Sequence, residues 1–247
     1  MDTVFWVVVL GAIVAGFVQG LSGFAFGLVA MTIWTWALEP ALASTLAVFG
    51  ALTGQIVAAV TVRRGFDMNR LWPFLAGGLL GVPLGVWLLP LLDMNWLKAI
   101  LGTLLVLWCP AMLFSGHLPK LKVGGRKADG AIGVVGGVMG GIGGFAGAVP
   151  TLWCTLRGYP KDEQRSVIQN FNLSVLAFSM LAHLAVGTVT TDMLPYFLVV
   201  APAVLLPAIL GSRVYIGISE MSFRRIVLSL LTVSGAALLA SSVPALV

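Results

Sequence analysis

Residues 4–37 carry no charged side chain. As one straight helix this run of about 34 residues would measure roughly 51 Å, against a hydrocarbon core of about 30 Å. The segment must therefore tilt steeply, break or turn back. Within it lies the Gly-rich stretch AGFVQGLSGFAFGLV at 15–29, and a second such stretch, GGVMGGIGGFAGAVP, occupies 136–150. In fixed register the two share Gly16/Gly137, Gly20/Gly141, Gly23/Gly144, Phe24/Phe145 and Ala25/Ala146, which points to an internal duplication.

Composition sets the solvent. With 59% hydrophobic and 9% charged residues and a mean hydropathy of +1.04, too few polar side chains exist to clothe a soluble globule. Backbone groups in lipid must be satisfied within the segment, and long apolar runs do this as helices, whereas a barrel would show short alternating stretches. The expected fold is an all-α polytopic membrane protein. Met1-Asp2-Thr3 is not the basic start of a signal peptide, and the apolar run that follows has no cleavage pattern, so it reads as the first membrane segment. Cys109 and Cys154 stand alone in apolar surroundings and form neither a metal pattern nor a disulfide framework.

Six spans are evident, at about 41–60, 71–90, 97–114, 166–186, 194–212 and 226–243. With the two Gly-rich runs, the chain has eight long hydrophobic segments. Counting each Gly-rich run as one crossing divides the fourteen Lys and Arg evenly between the two faces, against the positive-inside rule. Folding each run into a hairpin, for about ten membrane-embedded helices, gathers Arg63, Arg64, Arg70, Lys120, Lys122, Arg126, Lys127, Arg157, Lys161, Arg165, Arg213, Arg224 and Arg225 on one face and leaves only Lys98 opposite. With this topology the basic loops are expected in the cytoplasm, both termini outside, and Glu39, Asp93 and Asp192 in short outer connections.

Five legs per half make the second copy enter from the opposite face, an inverted-topology repeat of a broken or hairpin Gly-rich element plus three spanning helices. Pro73 matches Pro195, Gly85 matches Gly211, and DMNWLKAILGTLL at 93–105 resembles EMSFRRIVLSLL at 220–231. Residues 1–114 form the first repeat, 115–130 a basic Gly/Lys-rich cytoplasmic linker, and 131–247 the second repeat. The linker charge reads as a topology signal, with anionic-lipid contact secondary.

Hairpin legs of about 14 to 17 residues fall short of a full crossing, so the tips Leu21–Ala25 and Ile142–Ala146 are expected to end inside the membrane, approached from opposite faces. At each tip a helix starts, and its first N–H groups lack intrahelical partners and carry the positive end of the dipole. Two such starts facing one another suit an anion, and discontinuous helices at a repeat interface are a common transporter device. The candidate site is Gln19, Ser22, Gly23, Phe24, Ala25, Gly143, Gly144, Phe145, Ala146 and Gly147. The outer glycines Gly16, Gly20, Gly137 and Gly141 fit close helix packing equally well.

Polar residues in spans are costly unless paired or facing water. SVIQNFNLS at 166–174 places Ser166, Asn170 and Ser174 on one helical face and Gln169 with Asn172 on another; in the first half Thr45 aligns with Ser166, and Thr53 and Gln55 lie further on. Gln169, Asn170, Asn172 and Thr45 join the candidate site as neutral donors, although such residues also bridge helices. His183 and Arg213 are secondary candidates: His183 reads as an interfacial or satisfied histidine near the outer end of its span, and Arg213 as a snorkelling cation. No Asp or Glu lies deep in a span, so a carboxylate proton relay is unsupported and a coupling proton or ion stays unidentified. Trp6, Trp72 and Trp96 read as interface anchors. HExxH, CxxC, P-loop and GxSxG motifs are all absent, so no enzyme, metal or cofactor is expected. The expected partners are a small anion and the bilayer, not nucleic acid.

The duplicated G-x-x-x-G-x-x-G-F-A at Gly16–Ala25 and G-x-x-x-G-x-G-G-F-A at Gly137–Ala146, with GSRVYIGISEMSFRRI at 211–226, resembles the TauE/SafE family of bacterial permeases over essentially the whole chain. The resemblance implies transport of small anions such as sulfite, sulfonates or sulfoacetate. The expected function is secondary transport of small oxyanions by alternating access around a midplane site between the halves. A passive anion channel is the runner-up, and a non-transporting membrane assembly protein the third reading.

Overall fold

The computed structural model describes residues 3–61, 65–115, 120–121, 124–213 and 220–246. Arg63, Arg64, Lys122, most of 116–123 and residues 214–219 of the family-like stretch lie outside them, and for Arg213 and Arg224 only the backbone is described. The described residues form ten α-helices and no strand: α1 Thr3–Ser22, α2 Phe26–Trp34, α3 Pro40–Thr61, α4 Met68–Leu88, α5 Met94–Leu113, α6 Arg126–Gly143, α7 Ala148–Leu156, α8 Lys161–Ala185, α9 Leu194–Arg213 and α10 Glu220–Leu246. Two helix starts carry an aspartate cap. The Asp67 carboxylate accepts from the Asn69 and Arg70 amides before α4, and that of Asp93 accepts from the Trp96 amide before α5.

Seven of these helices, α1, α3, α4, α5, α8, α9 and α10, are long and apolar enough to cross a membrane. The protein is therefore a multi-pass membrane protein. α6 falls outside that set because Arg126, Lys127 and Asp129 crowd its first turn. α6 starts at Arg126, so the last residues of the basic 115–130 stretch are helical.

Both Gly-rich runs turn back. The Trp34 indole N–H at the end of α2 donates to the Val7 carbonyl at 3.2 Å near the start of α1. Likewise Trp153 on α7 donates to Asp129 Oδ1 at 2.8 Å near the start of α6, and Arg157 closes on the same carboxylate at 3.6 Å. The legs are not the matched pairs of 14 to 17 residues expected. Each hairpin has a long arm, 20 residues in α1 and 18 in α6, and a 9-residue return. The left-handed glycines, Gly23 at φ 84° and Gly144 at φ 73°, mark the break in each run.

α1 packs on α9 and α6 on α4, while α5 lies against α10 and α3 against α8. The outer glycines allow this. A Cβ on Gly20 would enter the Ala208 carbonyl, one on Gly137 the Gly78 carbonyl, and one on Gly141 would stand 2.8 Å from the Val82 oxygen, so these backbones touch. Leu80, Leu107, Leu198 and Leu206 face outward, as lipid-facing side chains do. Trp6, Trp72 and Trp96 are exposed near helix ends. The core is one cluster, with Phe26, Trp34, Phe74, Phe145 and Phe171 fully enclosed.

Candidate site between the hairpin tips

The first tip is built from α1 outward. The Gly23 amide donates to the Gln19 carbonyl at 2.7 Å, closing the helix, and the Ser22 hydroxyl accepts from the Ala25 amide at 3.2 Å, holding the bend. The Gly23 carbonyl accepts from Gln55 Nε2 of α3 at 2.6 Å. Gln169 of α8 approaches from the other side, 3.6 Å from where a Gly23 Cβ would stand. Gln19 is buried, donating through Nε2 to the Ala51 carbonyl at 3.0 Å, while its Oε1 has no hydrogen-bond partner among the described residues.

The second tip is tighter. The Gly144 amide donates to the Gly140 carbonyl at 3.0 Å, and a Cβ on Gly144 would stand 2.8 Å from the Ala47 carbonyl carbon and 2.9 Å from the Val48 nitrogen. The tip is thus seated on the backbone of α3. Gly147, which caps α7, abuts the Asn172 amide, where a Cβ would stand 2.5 Å from Nδ2 and 2.7 Å from Oδ1. Asn172 is 2% exposed and its Oδ1 has no hydrogen-bond partner among the described residues. Phe145 and Ala146 are buried beside it.

The two tips meet. A Cβ on Gly27, in the first turn of α2, would stand 2.6 Å from the Gly144 carbonyl carbon and 2.8 Å from the Gly143 oxygen. Trp108 of α5 bridges them: its N–H donates to the Ala148 carbonyl at 2.7 Å, and Phe24 sets its ring edge-on at 5.9 Å. Gln19, Ser22, Gly23, Phe24, Ala25, Gly143, Gly144, Phe145, Ala146, Gly147, Gln169 and Asn172 therefore belong to one neutral region with two helix starts.

Other expected residues stand elsewhere. Asn170 is not at the tips: its Nδ2 donates to the Ser166 carbonyl at 2.8 Å and the Gly65 carbonyl at 3.2 Å, tying the first half of α8 to the connection that leads into α4. On α8, Ser166 and Asn170 both donate to the Gly65 carbonyl, whereas Gln169 and Asn172 lie on the buried side with Ser179 and His183; Asn170 and Ser174 are half-buried. The Thr45 hydroxyl returns to the Ala41 carbonyl of its own helix at 2.8 Å and is not offered to a ligand. His183 is no interfacial histidine: it is 0% exposed, with Nε2 2.9 Å from the Gly141 carbonyl, behind α6. Sequence reading passed over Ser44, fully buried without a hydrogen-bond partner and one turn from the Ala47–Val48 seat of Gly144. The i, i+3, i+4 spacing of Ser44, Ala47 and Val48 would have found it once that seat was known.

Comparison with curated proteins yields no match, and comparison with solved structures yields none either. The model of one protein family, described as sulfite exporter TauE/SafE, matches residues 8–238 and so takes in both hairpins and nearly every helix. A chain of apolar helices matched over that length is a membrane transporter, and it belongs to the TauE/SafE sulfite exporter family.

Proposed function

We propose that the protein is a secondary transporter of small oxyanions, sulfite or small organosulfonates such as sulfoacetate, working by alternating access around the two hairpin tips. The observation that carries this reading is the meeting of the tips. Two helices begin in one buried neutral region, and the buried Asn172 amide abuts one of those starts at Gly147. First-turn N–H groups and a carboxamide bind an oxyanion without a fixed cation, which favours release as well as capture.

An inverted repeat supports alternation. Contacts between α1 and α9 are mirrored by those between α6 and α4, contacts of α3 with α9 by those of α8 with α4, and α5–α10 and α3–α8 pair across the halves. Gly23 and Gly144, the left-handed breaks, occupy equivalent positions in the duplicated register. Two inverted halves offer two mirror-related arrangements of one scaffold, one open to each side. The positive-inside rule, applied with both Gly-rich runs folded back, favours a cytoplasmic position for the basic loops.

The test is uptake of labelled sulfite and sulfoacetate into proteoliposomes, with Asn172→Leu beside the parent. Saturable flux with counterflow, reduced about 10-fold or more in the variant, is expected, since a hydrogen bond to a charged group contributes about 1.5–3 kcal/mol. Non-saturating flux without counterflow would replace the carrier by a channel, and no flux of either anion would remove the substrate assignment.

A further inference from the structure

We infer that His183 is a proton-binding site that couples the second hairpin to the proton gradient; this rests on the carrier reading above. Its Nε2 lies 2.9 Å from the Gly141 carbonyl. A carbonyl only accepts, so Nε2 carries the hydrogen and, in the neutral ring, Nδ1 is a bare acceptor. Among the described residues, that buried Nδ1 has no hydrogen-bond partner, and neither has the Ser179 hydroxyl one turn earlier on the same helix. Ser179 faces α6 as well, since a Cβ on Gly140 would stand 3.5 Å from its Oγ. Further along the same face Asn172, again with a bare Oδ1, reaches Gly147. A lane of hydrogen-bonding atoms with spare capacity thus runs from the Ala185 end of α8 to the second tip.

No other ionisable group competes within this lane. Among the described residues α3 carries no charged side chain, α4 carries only Arg70, α6 Arg126, Lys127 and Asp129, and α7 only the thiol of Cys154. Those groups cluster at the opposite end of the bundle, where Arg70 meets Glu163 at 2.9 Å and Arg157 meets Asp129. The charged residues of α8 itself, Lys161, Asp162, Glu163 and Arg165, lie at that end too. Glu39, Asp93 and Asp192, at the near end, are exposed.

Binding a proton forms an Nδ1–H bond and leaves a cation in an enclosed site. Nε2–H keeps Gly141, and the new donor turns to the Ser179 oxygen. Neutral His183 favours the arrangement described, with α6 packed over the ring. The imidazolium favours one in which α6 and α7 have shifted to admit water, because an enclosed charge is unfavourable without a counter-charge or solvent. The proton is taken from water on one side and returned to water on the other as the hairpin moves.

Sulfoacetate serves as the probe because its sulfonate stays ionised at every pH used. In proteoliposomes the parent protein is expected to accumulate it at least 10-fold under an imposed gradient of 1.5 pH units. His183→Gln, whose amide reproduces the bond to Gly141, is expected to lose accumulation while keeping counterflow at equal pH within about 2-fold. Ser179→Ala is expected to keep both and to shift the pH midpoint of accumulation. Accumulation retained in His183→Gln, or a parent that performs counterflow but ignores the gradient, would overturn the inference. Absence of counterflow in the parent would instead overturn the carrier reading, and this inference with it.

Discussion

Replacing Gly144 by Ala tests whether the second tip is held by backbone geometry. At φ 73° a residue with a Cβ is strained by about 1–2 kcal/mol. The added methyl would also stand 2.8 Å from the Ala47 carbonyl group and 2.9 Å from the Val48 nitrogen. Both are main-chain atoms of α3, so no rotamer change relieves the contact, and overpacking of this kind costs about 1–3 kcal/mol. Together the variant should lose about 2–5 kcal/mol. Gly187 provides the control, since its φ is 76° but nothing lies within 4 Å of the added atom. Gly187→Ala should therefore show only the backbone strain of about 1–2 kcal/mol. Equilibrium unfolding in mixed micelles, read by tryptophan fluorescence, compares the two variants, and anion uptake is measured in parallel. If Gly144→Ala were no less stable than Gly187→Ala and transported normally, the tip would not be seated on α3 as described.

The charged end of the bundle supplies a second contrast: Arg157, whose side chain is 21% exposed beside an Asp129 at 9%, should lose about 1–3 kcal/mol on change to Met, whereas Arg70→Met should lose at most about 1, because its partners Asp67 and Glu163 are solvated. The same unfolding assay ranks them, and equal losses would refute the distinction. A third expectation concerns Tyr159, between α7 and α8, whose phenol is pushed above its ordinary pKa of 10 first by burial and then by the negative charge of Asp129. A raised value means the folded state holds its proton longer than the unfolded chain, so stability is unaffected below pH 10 and falls as pH rises past it. Tyr159→Phe should remove that alkaline loss, and an unchanged pH profile would count against it.

The breaks in the two Gly-rich runs were legible because they follow from length and from residues that tolerate positive φ. A charge-free run too long for one crossing must turn, and Gly23 and Gly144 are the residues on which it does. The unequal arms were not legible. They depend on Trp34 reaching Val7 and Trp153 reaching Asp129, contacts between positions far apart in the chain. Helical periodicity separated Gln169 and Asn172 from Ser166, Asn170 and Ser174 on α8, but which of the two faces meets the tips is fixed only once the neighbouring helices are placed. Asn170 and Thr45 illustrate the difficulty: each carries a donor, and each spends it on a nearby carbonyl, which composition does not reveal. Gln55 shows the reverse, an unremarkable position until Gly23 arrives beside it.

Trp108 has a consequence beyond packing. One indole touches Phe24 in one hairpin and donates to the Ala148 carbonyl in the other, so the two hairpins share a single rigid strut from α5. Displacing either hairpin strains the ring's hold on the other. On the alternating-access reading proposed above, such an interlock disfavours any arrangement with both passages unsealed, and so limits uncoupled leakage of ions through the bundle.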